Sequence, residues 1–418
     1  GADVTPGTER VAWVLHVAAA IAALATLLSG RLRLGLAGVA GVLFSFWVTH
    51  LVRDSDLELS AAHLALFGVF LGWNARDRSP ALSAVGVEPR TKYPIDDWIL
   101  FALAAGMAAL VAVAVQNRLT DSAHEWSYTY QAAVFARGGP YAEAPPFWAA
   151  FQNFWVFEYG GHNFSQYTPG WPLFMTPFFL LHAVWLAGPF SLGLLVVGVA
   201  RVARRAAAGY SAGSSPPPWS QVRAAGWIAG LATTFGATML VNGGSRFPHI
   251  FVGATFAWAI DALCAMTTPG ETPEAQLHHG LLCGGAAMMT VATRPSDGAL
   301  LGIGLFVYAV YALFHGRLPW RSVVGTLVAF AVVGGVTLVI LRMQLGKWFT
   351  TGYSLNEVFH PWNKFRTSVP SRSEIKAALP LGTGAYCWWP CSPAIGLAGM
   401  MLLHGRGRRI GAILLASV

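Results

Sequence analysis

The sequence predicts an all-α protein that crosses a membrane many times, and three observations carry that reading. Hydrophobic residues fill 55% of 418 positions and charged ones only 11%, with a mean hydropathy of +0.51. A soluble domain carries about 25% charged residues, so this chain lacks the polar surface to face water all round. The apolar residues gather into repeated runs of about 15–20 residues, close to the length a helix needs to cross hydrocarbon, where only internally hydrogen-bonded backbone is tolerated. The basic residues cluster in alternate connections between those runs, which is the bias that sets membrane orientation. The net charge of +8 is therefore a topological signal, and no nucleic acid is expected as a partner.

The runs fall at 11–28, 34–52, 59–73, 98–115, 171–200, 224–241 and 250–266, then at 280–291, 299–314, 323–341, 394–403 and 410–418. They predict about 12–13 transmembrane helices, the shorter runs borrowing neighbouring polar residues to complete a span. The run at 171–200 is long enough for two elements, with Gly188-Pro189 as the expected breaker. A membrane-dipping helix followed by one true crossing keeps the charge pattern in phase. The chain begins with Gly, no basic segment precedes its first run, and it stops inside its last. It reads as an incomplete or processed version of a longer protein, with no intact signal peptide.

Loops holding Arg31/Arg33, Arg76 to Lys92, Arg201 to Arg223, Arg317/Arg321 and Arg406 to Arg409 carry fifteen basic residues. The opposite short segments carry four: Arg10, Arg53, Arg246 and Arg294. Fifteen against four places the first set in the cytoplasm and the long loops 117–170 and 344–393 outside. The expected organisation is additional N-terminal helices over 1–97, a core over 98–343, the second outside loop over 344–393 and C-terminal segments over 394–418. Residues 213–218, Gly-Ser-Ser-Pro-Pro-Pro, read as a cytoplasmic linker.

Cys264 and Cys283 lie in apolar runs, where a buried free thiol is the ordinary state. Cys387-Trp-Trp-Pro-Cys391 lies in the second outside loop, where a small disulfide can form. Two cysteines make a poor metal site, so neither a metal nor any other cofactor is expected.

Polar residues of the outside loops supply the candidate chemistry. The stretch from Asp121 to Arg137 has helical spacing and ends at Gly138-Gly-Pro140, which predicts a short interfacial helix. Asp121 and Glu125 are four apart and share a face that Tyr128 continues. Carboxylates at a water-poor surface titrate higher than usual, which suits a proton acceptor; the plain alternative is that they solvate the loop. Two more polar elements follow, Asn242-Gly-Gly-Ser-Arg246-Phe-Pro-His249 and Thr293-Arg294-Pro-Ser-Asp297-Gly298. An arginine placed against the basic-inside trend points to an anionic ligand or to snorkelling among lipid headgroups.

With these residues in view, the sequence resembles the GT-C membrane glycosyltransferases, especially bacterial relatives of protein O-mannosyltransferases and aminoarabinose transferases. The resemblance runs from about Trp98 to Phe314, weakening towards Arg366. Three elements carry it, in order: His124-Glu125-Trp-Ser-Tyr128 with Gln131-Ala132, Tyr167-Thr-Pro-Gly170, and Arg294-Pro-Ser-Asp297-Gly298. Two positions depart from the family pattern. His124 stands where the first acid of a pair is usual, and Gln166 replaces a frequent basic residue.

The resemblance implies a GT-C-like core with short interfacial helices in the first outside loop. It also implies a polyprenyl-phosphate sugar donor and transfer with inversion at the non-cytoplasmic face of the inner membrane. One outward carboxylate, Glu125 or Asp121, would be the base. Arg294 and Arg246 would hold the phosphate, and His124, Tyr128, Gln166, Tyr167, His249 and Asp297 would line the cavity. The expected geometry sets Asp121 or Glu125 opposite Arg294 or Arg246 across a groove, the rival being a local Arg294–Asp297 pair. Membrane lipid and a larger membrane assembly are the other expected partners. Two further classes remain open, a non-catalytic subunit of such an assembly and a transporter, for which Asp261 inside a run would be the marker.

Overall fold

A computed structural model describes residues 93–120, 122–147, 153–208, 219–268 and 271–355, all within one compact unit, Glu88–Asn363. The apolar runs 11–28, 34–52, 59–73, 394–403 and 410–418 lie outside the described residues. So do Asp121, the linker 213–218, most of the second long loop, and Cys387 with Cys391.

The element order is α1 (Pro94–Ala114), α2 (Ala123–Ala136), β1 (Ala142–Glu143), β2 (Val156–Tyr159), β3 (His162–Ser165) and α3 (Gly170–Leu180). Then come α4 (Ala187–Ala208), α5 (Trp219–Thr234), α6 (Ala237–Gly244), α7 (His249–Met266), α8 (Pro273–Thr293), α9 (Pro295–Phe314) and α10 (Trp320–Leu345). Among the described residues, five spans are long and apolar enough to cross a membrane: α1, Val184–Ala208, α7, α9 and α10. The pair formed by α5 and α6, bent by 64° at Phe235–Gly236, makes a sixth if counted as one broken span. The chain is built as a helical integral membrane protein. Large apolar side chains on α10, Leu327, Val328, Val332 and Val336 among them, are exposed, which hydrocarbon accepts and water does not.

The helix between α7 and α9 is less apolar than its neighbours, with Glu274, His278 and His279 in its first half. Gly280 and Gly284, one turn apart on α8, press directly on the backbone of Ser322 and Thr326 in α10. Small residues at such spacing let two membrane helices approach closely, and dispersion contacts then supply the attraction that hydrocarbon itself does not.

Expectation and structure differ in two places. The run at 171–200 does contain a half-length helix and a full one, but the break lies at Leu181–Leu186, not at Gly188-Pro189. Pro189 sits in the first turn of α4, where its missing N–H costs nothing. The long loop 117–170 is also not all helix: β1, β3 and β2 form a small antiparallel sheet in that order. Its hairpin turn is Gly160-Gly161, with φ of +62° and +81°. Two strands separated by two residues that both accept positive φ are a strong hairpin signal.

The helices share two ends. One collects α2, the sheet, and the segments 116–120, 166–170, 245–249 and 293–297. The other collects the starts of α1 and α5 and the ends of α4 and α7, held by buried ion pairs. There Asp97 receives Arg201 at 2.9 Å and Arg204 at 2.5 Å, and Asp96 receives Arg223 at 2.6 Å. Asp261, the ionisable residue inside a run, is paired with Arg205. The arginines of these pairs, Arg201, Arg204, Arg205 and Arg223, all belong to one of the basic connections read from the sequence.

Candidate active site at the sheet-bearing end

Helix α2 starts at Ser122, whose hydroxyl accepts the amide of Glu125 at 3.2 Å, while the Glu125 carboxylate lies 3.5 Å from the same hydroxyl. This is a capping arrangement of the Ser-x-x-Glu kind. It fixes Glu125, which is 1% exposed, and aims its Oε1 at the main-chain amide of Arg246, 2.7 Å away. Glu125 therefore meets Arg246 through the peptide N–H. The Arg246 guanidinium instead donates to the Arg118 carbonyl at 2.7 Å and to Thr129 at 3.3 Å, tying the end of α1 to α2.

His124, one residue earlier on α2, is half-buried. Its Nδ1 is hydrogen-bonded to the Tyr167 hydroxyl. The ring stacks on Trp155 with centroids 4.8 Å apart and an interplanar angle of 25°, and Phe247 stands 6.3 Å away. Burial holds the imidazole below its ordinary value of 6.5, and the nearby Arg294 charge adds to that, with Glu125 opposing. The ring is neutral at physiological pH.

The tyrosines form the wall beside it. Tyr128 and Tyr167 lie 4.4 Å apart between centroids, and Tyr353, from a 3-10 turn at Gly352–Leu355, makes an edge contact with Tyr167 at 5.8 Å. Burial raises all three hydroxyls, Tyr353 to about 12, so each keeps its proton. Gln166 is buried next to Tyr167, with its main-chain N–H on the Trp155 carbonyl at 3.1 Å.

Arg294 stands at the junction of α8 and α9. Its Nε pairs with Asp297 at 2.9 Å, the local pairing foreseen as the rival arrangement, and its Nη1 donates to Nδ1 of His249 at 2.6 Å. Its side chain is about a third exposed. The Tyr167-Thr-Pro-Gly170 segment is bolted to this junction, because the Thr168 hydroxyl donates to the Thr293 carbonyl at 2.9 Å. Gly170 lies so close to Ala292 that a Cβ there would come within 2.7 Å of its carbonyl carbon.

The residues read from the sequence thus gather at one end, except Asp121, which lies outside the described residues. His124, Tyr128, Tyr167, Arg294, Asp297 and His249 belong to one electrostatic neighbourhood, and Glu125 and Arg246 meet along one side of it. Trp155, Phe247 and Tyr353 were not foreseen. Ser122 was legible as the cap of a Ser-x-x-Glu pattern, whereas Tyr353 has no local signal. Among the described residues, no group of three or more His, Cys, Asp or Glu side chains could hold a metal ion.

No family profile matches the sequence, and no curated protein matches it. Among solved structures, the chain is similar to ArnT from Cupriavidus metallidurans bound to undecaprenyl phosphate, at 15% identity and a TM-score of 0.47. The likeness covers 78% of this chain and 60% of that one.

Proposed function

We propose that this chain is a membrane glycosyltransferase that moves a sugar from a polyprenyl-phosphate donor to an acceptor on the non-cytoplasmic side of the inner membrane, with inversion. The observation that supports it is the meeting, at one end of the helical bundle, of three motifs scattered over more than 170 residues. His124-Glu125 contacts Tyr167, Thr168 contacts Thr293, and Arg294 follows directly.

The chemistry asks for few groups. A prenyl phosphate leaves as an anion and needs positive charge beside it, whereas the incoming hydroxyl needs one proton acceptor. Arg294, held by Asp297 and His249 where the spans end, is the proposed phosphate ligand. Arg246 contributes through the frame it builds around Glu125. The start of α2, with Asp121 just before its cap, supplies the acidic side. Tyr128, Tyr167 and Gln166 form the wall.

The test is transfer by the purified full chain in detergent from radiolabelled polyprenyl-phosphate sugars, with the product anomer assigned by NMR. Donor consumption with inverted configuration is the expected result. A chain that neither binds nor consumes any such donor would overturn the reading in favour of a non-catalytic subunit.

A further inference from the structure

Glu125 is poorly placed to touch a hydroxyl arriving from outside. It is 1% exposed, one carboxylate oxygen takes the Arg246 amide, and the other faces its own helix cap. The residue before it has the opposite character. His124 is half-buried, with its ring clamped against Trp155 and its Nδ1 fixed on the Tyr167 hydroxyl. When one ring nitrogen of a histidine is held by a hydrogen bond, the other is oriented and its tautomer set.

We propose that His124 is the proton acceptor for the incoming hydroxyl, through Nε2, and that a donor phosphate on Arg294 arms it. The inference rests on the glycosyl-transfer reading above. The step uses the tautomer in which Nδ1–H donates to the Tyr167 oxygen, leaving the Nε2 lone pair for the substrate. As the acceptor oxygen bonds to the sugar C1, the C1–O bond to phosphate breaks and its electron pair leaves with the phosphate. The hydroxyl proton passes to Nε2. A neutral imidazole and a monoanionic phosphodiester become an imidazolium beside Glu125 and a prenyl phosphate dianion beside Arg294, so charge and atoms balance.

The arming follows from the groups that face the ring. They are Glu125 on the same helix, Arg294 at the α8–α9 junction, His249 at the start of α7 and Tyr167, with Asp297 beside Arg294 and Tyr128 and Tyr353 beside Tyr167. The Arg294 charge disfavours a proton on His124. A phosphate paired with Arg294 cancels that charge and makes the imidazole a stronger base when the donor is present. Linkage is reciprocal, so protonating His124 tightens the binding of a prenyl phosphate.

The experiment uses the full chain in detergent. Turnover is followed against pH, and binding of decaprenyl phosphate is followed against pH by intrinsic tryptophan fluorescence. His124→Asn is expected to lower kcat about 10²-fold or more with little change in donor KM, and to reduce the pH dependence of decaprenyl phosphate binding to what His249 and the phosphate itself contribute. His124→Asp is expected to restore part of the turnover, with its acid limb moved to lower pH. Tyr167→Phe, which frees Nδ1, should both lower kcat and shift the wild-type acid limb.

Should His124→Asn fail to fold, the other two variants and the wild-type binding curve carry the test. Turnover and acid limb unchanged in His124→Asn, or wild-type decaprenyl phosphate binding that is flat with pH, would overturn the inference while leaving a working glycosyltransferase. Absence of transfer by the wild type overturns the underlying reading instead.

Discussion

The hydroxyl of Thr168 donates to the carbonyl of Thr293 at 2.9 Å, joining positions 125 residues apart. Two residues on, Gly170 lies against the Ala292 backbone. Together they set the loop that carries Tyr167 beside the junction that carries Arg294.

Gly170→Ala tests that bolt. The new methyl would lie 2.7 Å from the Ala292 carbonyl carbon and from the Thr293 hydroxyl, and backbone cannot move aside as a side chain can. A loss of about 1–3 kcal/mol is expected from such overpacking, read as a lower melting temperature in detergent. Gly106→Ala is the control. It has nothing within 4 Å of the added Cβ, and a helix-interior alanine should be neutral or stabilise by roughly 0.5–1 kcal/mol.

The hairpin tip gives a second expectation. Gly160 has a φ of +62° with open space around it, so strain and not crowding governs substitution there. Gly160→Val should cost roughly 1–2 kcal/mol, whereas Gly160→Asn should be tolerated, since Asn accepts the left-handed region and Asn-Gly suits such turns. Limited proteolysis at residues 156–165 should rank the variants as Val, then Asn, then wild type in susceptibility.

The helices and their two ends were legible in the sequence because hydrophobic length and basic bias are local quantities. Of the site, the motif residues were legible and their couplings only partly so. Glu125 was read as an outward carboxylate, and nothing local shows that its neighbour across the fold is the Arg246 amide. The sheet was missed although Gly160-Gly161 announces it, because its strands are only two to four residues long. Asp261 carried a transporter's signature until Arg205, 56 residues away, appeared as its partner.

The buried charges at the far end yield a third prediction. Asp97 serves two arginines, of which Arg204 is fully buried. Asp97→Asn leaves both without a counter-charge, and breaking a buried pair in this way costs about 3–5 kcal/mol. Arg204→Met removes one cation and leaves Asp97 with Arg201, so it should cost clearly less. Thermal unfolding of the two variants in the same detergent checks the order, and equal losses would contradict it.

A fourth prediction concerns acid. The folded state holds His124 below its ordinary value of 6.5 because burial and Arg294 disfavour the charged ring. Between the folded and unfolded values the unfolded chain binds more protons, so the contribution is complete above about pH 6.5 and is lost as pH falls through the folded value. His124→Asn should flatten the decline in melting temperature below about pH 6.5. A decline as steep as that of the wild type would place the sensitivity elsewhere.

The last prediction separates the two arginines. Arg246 spends its guanidinium on the Arg118 carbonyl and Thr129, and its contact with Glu125 runs through the main chain, which a side-chain change leaves in place. Arg246→Ala should therefore act mainly on stability, lowering the melting temperature while weakening prenyl phosphate binding only modestly. Arg294 is anchored by Nε to Asp297 and by Nη1 to His249, with about a third of its side chain exposed. Arg294→Ala should leave the melting temperature nearly unchanged and weaken decaprenyl phosphate binding about 10-fold or more, as expected for a lost charge-assisted contact with phosphate. Arg294→Lys should recover only part of the affinity, since an ammonium cannot hold Asp297 and a phosphate with one planar fork. If Arg246→Ala proved the greater loss in binding at unchanged stability, the phosphate would belong to α2 and the segment before α7, and the proton acceptor would have to be sought on that side.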